Sequence, residues 1–420
     1  MNLRVRLPSV AAQVVMFTAA ALLMLGNYYV YDSIGPVADL LTRQLGFTQT
    51  EIGTLNAVYS LPNIVLVLVG GVLTDRLGVR RVIFWTTFIC LVGAVLTALG
   101  SHFPIMVLGR FLFGVGAETM IVALLVALVQ WFDGRYLALF LALNISLSRV
   151  GSYLADRSPS FADSLYQRGW QPPLMLAAGF AALSMLAAMV YYVVDRREAA
   201  RGTLAIAPPG ERIDWKNLLR FGAGYWYIVG IGVTFYAVIL PFRSTFAIEY
   251  FQHAHNMSLV AASYLNSNVF LAAAVATPVF GLLVDRIGRH AQLLVAGSLL
   301  LPLSFVCLAS SGVSLWVSSA LLGVSFSMVP AVLWPAVPRV AAAAQLGTAY
   351  GLMTMLQNAG LAFANLIAGY LNEVGGASAA HAQGYGAMLW FFGLLSLAGL
   401  VFALLLWRHD ARAHSAQHGV

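Results

Sequence analysis

The chain has 420 residues, of which 60% are hydrophobic and only 9% charged, whereas globular domains carry charge on about a quarter of their residues. So few charges cannot cover a soluble protein of this size, which excludes a soluble enzyme, a nucleic-acid-binding protein and a disordered chain. The formal net charge of +7 must then be explained by where the basic residues fall.

Apolar runs between charged or turn-rich breaks predict twelve membrane-spanning helices, at approximately 13–42, 50–74, 81–100, 104–131, 136–162, 172–194, 219–250, 258–284, 291–310, 313–338, 346–371 and 385–407. The runs are continuous and do not alternate with a period of two, so barrel strands are excluded. No cleavable signal is evident: the first run passes straight into Asn27, Tyr28, Tyr29, Tyr31 and Asp32. Cys90 and Cys307 each lie inside an apolar run and read as small packing residues, not a disulfide framework.

With the N-terminus inside, the inner segments hold 17 of the 23 basic residues. The outer segments hold three, Arg43, Arg157 and Arg168, and Arg110, Arg149 and Arg243 remain within spans. This asymmetry predicts that both termini are cytoplasmic, and it makes the basic charge an orientation signal for a lipid bilayer, with no nucleic acid as partner. The longest polar break, 195–218, begins Asp195-Arg196-Arg197-Glu198 and contains Pro208-Pro209-Gly210. It separates six spans from six. The expected organisation is a six-helix bundle over 1–194, a solvated cytoplasmic linker over 195–218, a second bundle over 219–407 and a cytoplasmic tail over 408–420.

An ionisable group at the bilayer centre costs about 2.5–3.5 kcal/mol on insertion scales, so each one invites a functional reading. At 1.5 Å per residue, Glu118 lies ~21 Å from the outer start of its span and Arg149 ~20 Å from the inner start of the next, which puts both near the midplane. They read either as a packing salt bridge or as a pair that receives a zwitterion. An extended peptide advances at most ~3.6 Å per residue, so the terminal charges of a dipeptide sit ~5–7 Å apart. The arginine fork suits the carboxylate and the glutamate suits the amine.

Further substrate contacts are expected from Asn27, Tyr28 and Tyr31 in span one, Arg243 after Pro241 in span seven, Asn266 and Asn268 in span eight, Trp334 in span ten, and Gln357 and Asn358 in span eleven. The same groups can serve as hydrogen-bonding glue between helices. Arg110 reads as helix packing or snorkelling, and Asp32 and Glu249 as solvated groups at the outer interface. The eight histidines are scattered, with His253 in an outer loop. No metal-ligand spacing, nucleophile–base set or phosphate-cradling loop occurs, so neither catalysis nor a metal or cofactor is expected.

Two segments repeat. The end of span two reads Gly71-Val-Leu-Thr-Asp75-Arg76-Leu-Gly78-Val-Arg80-Arg81, and the end of span eight reads Gly281-Leu-Leu-Val-Asp285-Arg286-Ile-Gly288-Arg289. Asp75 and Asp285 are 210 residues apart, half the chain. Charges at these helix exits can pair with neighbouring helix ends, Asp133 among them, and form a cytoplasmic gate.

This pattern resembles the major facilitator superfamily over the whole chain, and Arg110-Phe-Leu-Phe-Gly114-Val-Gly116 is similar to its fourth-span signature. The resemblance implies an all-α membrane protein of 12 transmembrane helices, in two six-helix bundles that work by alternating access. Tyr59-Ser-Leu-Pro-Asn63, Gly109 to Glu118, Ser148-Arg-Val-Gly-Ser152, Pro278 to Asp285, Leu333-Trp-Pro335, Gln345 to Gly351 and Gln357-Asn358 look like the lysosomal dipeptide-transporter branch. The E-x-x-E-R string of the classical proton-coupled peptide transporters does not occur.

The resulting expectation is a dipeptide carrier working as a monomeric uniporter. Alternatives are a proton-coupled carrier, an exporter of another small organic solute, or a sensor that binds without transport. Short outer loops, with the sequon Asn256-Met-Ser258 lying beside a span, argue against the glycosylated accessory subunit of lysosomal relatives. They favour a bacterial-type cytoplasmic membrane over a lysosomal one.

Overall fold

A computed structural model of the chain describes residues 8–132, 134–202, 221–287, 289–310, 312–342 and 345–418. The helices are α1 (Val10–Asp32), α2 (Ala38–Leu45), α3 (Gln49–Leu77), α4 (Val79–Leu99), α5 (Phe103–Trp131), α6 (Gly134–Phe161), α7 (Asp163–Tyr166), α8 (Gln171–Ala200), α9 (Ala223–Pro241), α10 (Ala247–His255), α11 (Leu259–Ile287), α12 (His290–Ala309), α13 (Leu315–Val340), α14 (Leu346–Val374) and α15 (Gly386–His418). Among the described residues, eight stretches are long and apolar enough to cross a membrane, or up to nine if a bent pair counts as one span. The molecule is therefore a multi-pass integral membrane protein built of helices.

Two expected spans are broken, each for a local reason. Span 13–42 divides into α1 and α2 at a 3-10 turn, Gly35–Val37, because Pro36 has no amide to continue the ladder. Span 219–250 divides into α9 and α10 at a π-helical turn, Phe242–Phe246, that follows Pro241. Other ends follow ordinary capping rules. Ser9 accepts from the Ala12 amide at 3.2 Å, and Thr48 and Glu51 form a reciprocal capping box at the start of α3. Gly78, the turn between α3 and α4, has φ +85°, a conformation that excludes most side chains and explains the last glycine of the D-R-x-G motif.

The expected linker begins too early. Helix α8 continues to Ala200, and Asp195 and Glu198 are buried, not solvated. Likewise α15 runs past the expected tail boundary to His418.

The chain divides into two compact units, Met1–Phe47 with Val58–Gly210 and Thr48–Ala57 with Glu211–Val420. Lipid tails are as apolar as leucine, so close approach and hydrogen bonding must hold helices together in place of the hydrophobic effect. In the first unit α4 and α5 meet at glycines: a Cβ on Gly93 would stand 2.5 Å from the Phe113 amide nitrogen, and one on Gly109 2.5 Å from the Thr97 hydroxyl. Met16, Leu23, Ile83, Leu124 and Trp131 belong to the buried core of this unit.

The second unit is held by buried polar side chains. Asn56 donates to the Thr245 hydroxyl at 2.7 Å, and Thr245 donates to Asn365 Oδ1 at 2.8 Å. Gln49 donates to Glu249 at 2.8 Å. Asp32 in the first unit and Glu249 in the second are both fully buried, so the expected solvated positions are corrected. His253 is also no loop residue: it is buried on α10 and bonded to the Tyr385 hydroxyl at 2.7 Å.

Candidate functional site

In the first unit the site is built from α1, α3, α5 and α6. Gly114 lets α5 approach α3 so closely that a Cβ there would lie 2.3 Å from the Tyr59 carbonyl oxygen. That contact sets Tyr59 beside Glu118, one turn further along α5, and its hydroxyl donates to Glu118 Oε1 at 3.4 Å. Gly151 does the same for α6, where a Cβ would meet the Leu25 carbonyl oxygen of α1 at 2.3 Å. Arg149, half-buried on α6, is thereby brought toward the same stretch of α1. The Tyr28 hydroxyl lies within the electrostatic reach of both Glu118 and Arg149, and of Tyr31 and Asp32. Two opposite charges thus act on one tyrosine hydroxyl of α1.

Arg110 supports the end of this helix and has almost no exposure. It donates to the Val30 carbonyl at 3.1 Å and the Tyr31 carbonyl at 3.2 Å, in the last turn of α1, where a helix end leaves carbonyls without the regular ladder; the Ser33 hydroxyl also donates to Val30, at 2.8 Å. Its guanidinium carbon lies 5.9, 5.6 and 5.5 Å from the Tyr31, Tyr59 and Phe113 ring centroids, within cation–π range. Tyr31 and Tyr59 also pack ring to ring at 4.7 Å. Arg110→Met should leave both carbonyls without their charged donor and destabilise the unit by about 2–4 kcal/mol. The measurement is the apparent Tm of detergent-solubilised protein, and an unchanged Tm would mean that other groups satisfy those carbonyls.

Asn27 points elsewhere. With Leu23, Thr87, Cys90 and Ser184 it lines a small cavity of about 10 Å³, room for a single water-sized group. Asp156, which the sequence reading left without a role, is buried on the same helix as Arg149.

The second unit distributes its expected residues over separate places. Arg243, in the π-helical turn, is buried, donates to the Ser244 hydroxyl at 2.6 Å and lies 4.3 Å from the Phe270 ring centroid. Asn266 donates to its main-chain oxygen at 3.1 Å. Asn268 and Asn358 each donate to the carbonyl four residues earlier on their own helix. Gln357 is buried on α14 and packs against Gly232 of α9, where a Cβ would meet Nε2 at 2.6 Å. Trp334 donates from Nε1 to the Tyr236 hydroxyl at 3.3 Å.

At the D-R-x-G repeat, Asp75, Arg76 and Arg81 are exposed beyond half-buried Gly71, and Arg286 and Arg289 are exposed at the equivalent end. Asp133 and Gly288 lie outside the described residues, as do the side chains at Gly281 and Asp285. Arg80 is engaged within its own unit, 3.7 Å from Asp195 and 5.9 Å from the Tyr192 ring. Asp195 also accepts from Trp131 Nε1 at 3.0 Å and the Tyr191 hydroxyl at 3.2 Å.

Tyr59 and Arg110 are the members of the first-unit site that the residue-by-residue reading did not select as contacts. Their signals were the Tyr59-to-Asn63 string and the glycine spacing after Arg110, which mark close helix approach.

The model of the Major Facilitator Superfamily matches residues 17–248 and 242–419. The chain is 33% identical over 379 residues to the lysosomal dipeptide transporter MFSD1 of Bos taurus, covering 87% of this chain and 81% of that protein. It is also 33% identical over 359 residues to the Homo sapiens protein of that name, covering 82% and 77%. Among solved structures, a mutant of the peptide transporter POT superposes with a TM-score of 0.76 at 15% identity, covering 97% of this chain and 96% of that one. A bacterial homologue of the human lysosomal transporter Spinster gives 0.73 at 15% identity, covering 96% and 98%. At such identities the structures speak for the fold alone.

Proposed function

The chain belongs to the major facilitator superfamily, a family of transporters and not of enzymes, and on that premise we propose that it carries dipeptides across a membrane by alternating access. The observation that carries this reading is the placement of Glu118 and Arg149, opposite in charge, within electrostatic reach of one hydroxyl, Tyr28. An anion site would seldom include a carboxylate, and a cation site would seldom include an arginine. A zwitterion satisfies both, and terminal charges ~5–7 Å apart favour two residues over one. The names of the MFSD1 relatives support the same substrate class.

In this reading Arg149 holds the substrate carboxylate and Glu118 its amine, with Tyr28 and Tyr31 beside them. Tyr59 and Arg110 keep the acid and the end of α1 in place. Arg243, Asn266, Asn268, Trp334, Gln357 and Asn358 remain candidate contacts within the second unit taken by itself. Transport is uniport, because Glu118 serves the amine and is not spent on carrying a proton. The short outer loops fit a bacterial-type cytoplasmic membrane, a monomer and no accessory subunit, whereas the named relatives are lysosomal.

The test is a thermal-shift screen of purified protein against dipeptides, tripeptides and free amino acids, since a ligand of the folded state raises apparent stability. Dipeptides should give the largest shift. Equal shifts from free amino acids, or none from any peptide, would overturn the reading.

The D-R-x-G segments serve as the inner gate. Asp75→Asn is expected to lower turnover at least tenfold while leaving the dipeptide-induced thermal shift within about twofold in concentration dependence, because Asp75 is exposed at the end of α3 and remote from the charge pair. Unaltered turnover would reduce the motif to an orientation signal.

A further inference from the structure

We propose that the small cavity among α1, α4, α5 and α8 of the first unit is a binding site for one ordered water molecule, which accepts from the Thr87 hydroxyl, donates to Asn27 Oδ1 and so ties α1 to α4.

Two buried polar atoms point to it. Asn27 Oδ1 and Thr87 Oγ1 have no hydrogen-bond partner among the described residues, and the two residues are 5% and 1% exposed. Both line the cavity. Thr87 is set apart from the other threonines of α4. The hydroxyls of Thr86 and Thr97 donate to the carbonyls four residues earlier, at 2.6 and 2.9 Å, the back-bond usual for a threonine inside a helix. The Thr87 hydroxyl makes no such bond, so its proton is available to the cavity. Unpaired hydroxyls and amides are costly within a hydrocarbon layer, where bulk water cannot reach them. Here two of them open on one space.

The size of that space selects the ligand. Its volume of about 10 Å³ is at the lower end of the ~10–15 Å³ that one water requires, which excludes a second water or an organic solute. None of the residues lining it is charged, which excludes a metal ion or an ionised ligand. A buried water needs about two to four polar partners, and a third is at hand. The Ser184 hydroxyl of α8 gives its proton to the Leu22 and Phe180 carbonyls, at 3.1 Å each, and keeps a lone pair to accept from the water. Gly26 keeps that approach open, because a Cβ there would collide with Ser184 Oγ. Lipid tails drive no helices together, so a water bonded to two or three of them acts as glue. Asn27 thereby has a role away from the substrate, although the next residue, Tyr28, belongs to the charge-pair site.

The test joins a density map to a double-mutant cycle. In a crystal structure of the full chain at about 2 Å or better, a peak should lie within hydrogen-bonding distance of both Asn27 Oδ1 and Thr87 Oγ1. Thr87→Val keeps the shape and removes the hydroxyl. It should lower the apparent Tm of detergent-solubilised protein by about 2–4 °C, because the water loses its donor. A hydroxyl without a partner would give the opposite sign, since valine relieves the cost of burying it. Asn27→Leu should lower Tm by a similar amount, and the double variant by clearly less than the sum, because one water cannot be lost twice. If Asn27→Leu does not fold, the map and the sign for Thr87→Val decide. A featureless cavity in the map, a Tm raised or unchanged by Thr87→Val, or additive losses would overturn the proposal.

Discussion

Replacing Glu118 by glutamine is expected to weaken dipeptide binding about a hundredfold and to produce the largest loss of any single substitution. The amide keeps the shape and the ability to accept from Tyr59, which lies 3.4 Å away, but offers no charge to the substrate amine. Charge-assisted hydrogen bonds are worth about 1.5–3 kcal/mol, and each 1.4 kcal/mol is tenfold. N-acetylated dipeptides should bind the unmutated protein as poorly as free dipeptides bind Glu118→Gln, and acetylation should add little further loss on the variant. Titration by thermal shift gives all four affinities. Independent, additive losses would remove Glu118 from the amine site. Tyr59→Phe should fall between, because it only loosens the acid.

Arg149→Lys is the second large effect, expected at about tenfold although the charge is retained. A guanidinium can donate two parallel hydrogen bonds to a carboxylate, whereas an ammonium acts as a point charge. Dipeptides amidated at the C-terminus should bind the unmutated protein poorly and should not distinguish it from Arg149→Lys. Equal binding of free and amidated dipeptides would remove the carboxylate assignment.

Much of the helical framework was legible because continuous apolar runs and terminal turns are local signals. Gly78 with its positive φ and the Pro36 and Pro241 breaks show how single residues carry such signals. The breaks themselves lay inside runs that read as uninterrupted, since hydropathy is insensitive to a missing amide. Asp195 shows the other limit. By its neighbours it opens a charged, solvated linker, yet it is buried because Trp131, Tyr191 and Arg80 converge on it. Two of those partners lie 64 and 115 residues away in sequence, and no window can see them.

The candidate site divides along the same line. Glu118 and Arg149 stood out because charge in a bilayer is costly wherever it is found. Tyr59 did not, because aromatic residues are ordinary in membrane helices and only its bond to Glu118 distinguishes it. Arg110 was visible as a charge, but its role depends on two carbonyls at the end of α1 that it reaches from another helix. Asn27 and Tyr28 are adjacent in sequence and 100° apart on a helix, which is why one lines an internal cavity and the other sits by the charge pair.

The most direct test of the carrier reading is counterflow in proteoliposomes preloaded with an unlabelled dipeptide and diluted into a trace of labelled dipeptide, at equal pH on both sides and without a membrane potential. Transient accumulation of label above the outside concentration, absent with Glu118→Gln and unaffected by a protonophore, is the expected result. Label that binds to the vesicles without entering, or entry that requires an imposed pH gradient, would contradict it.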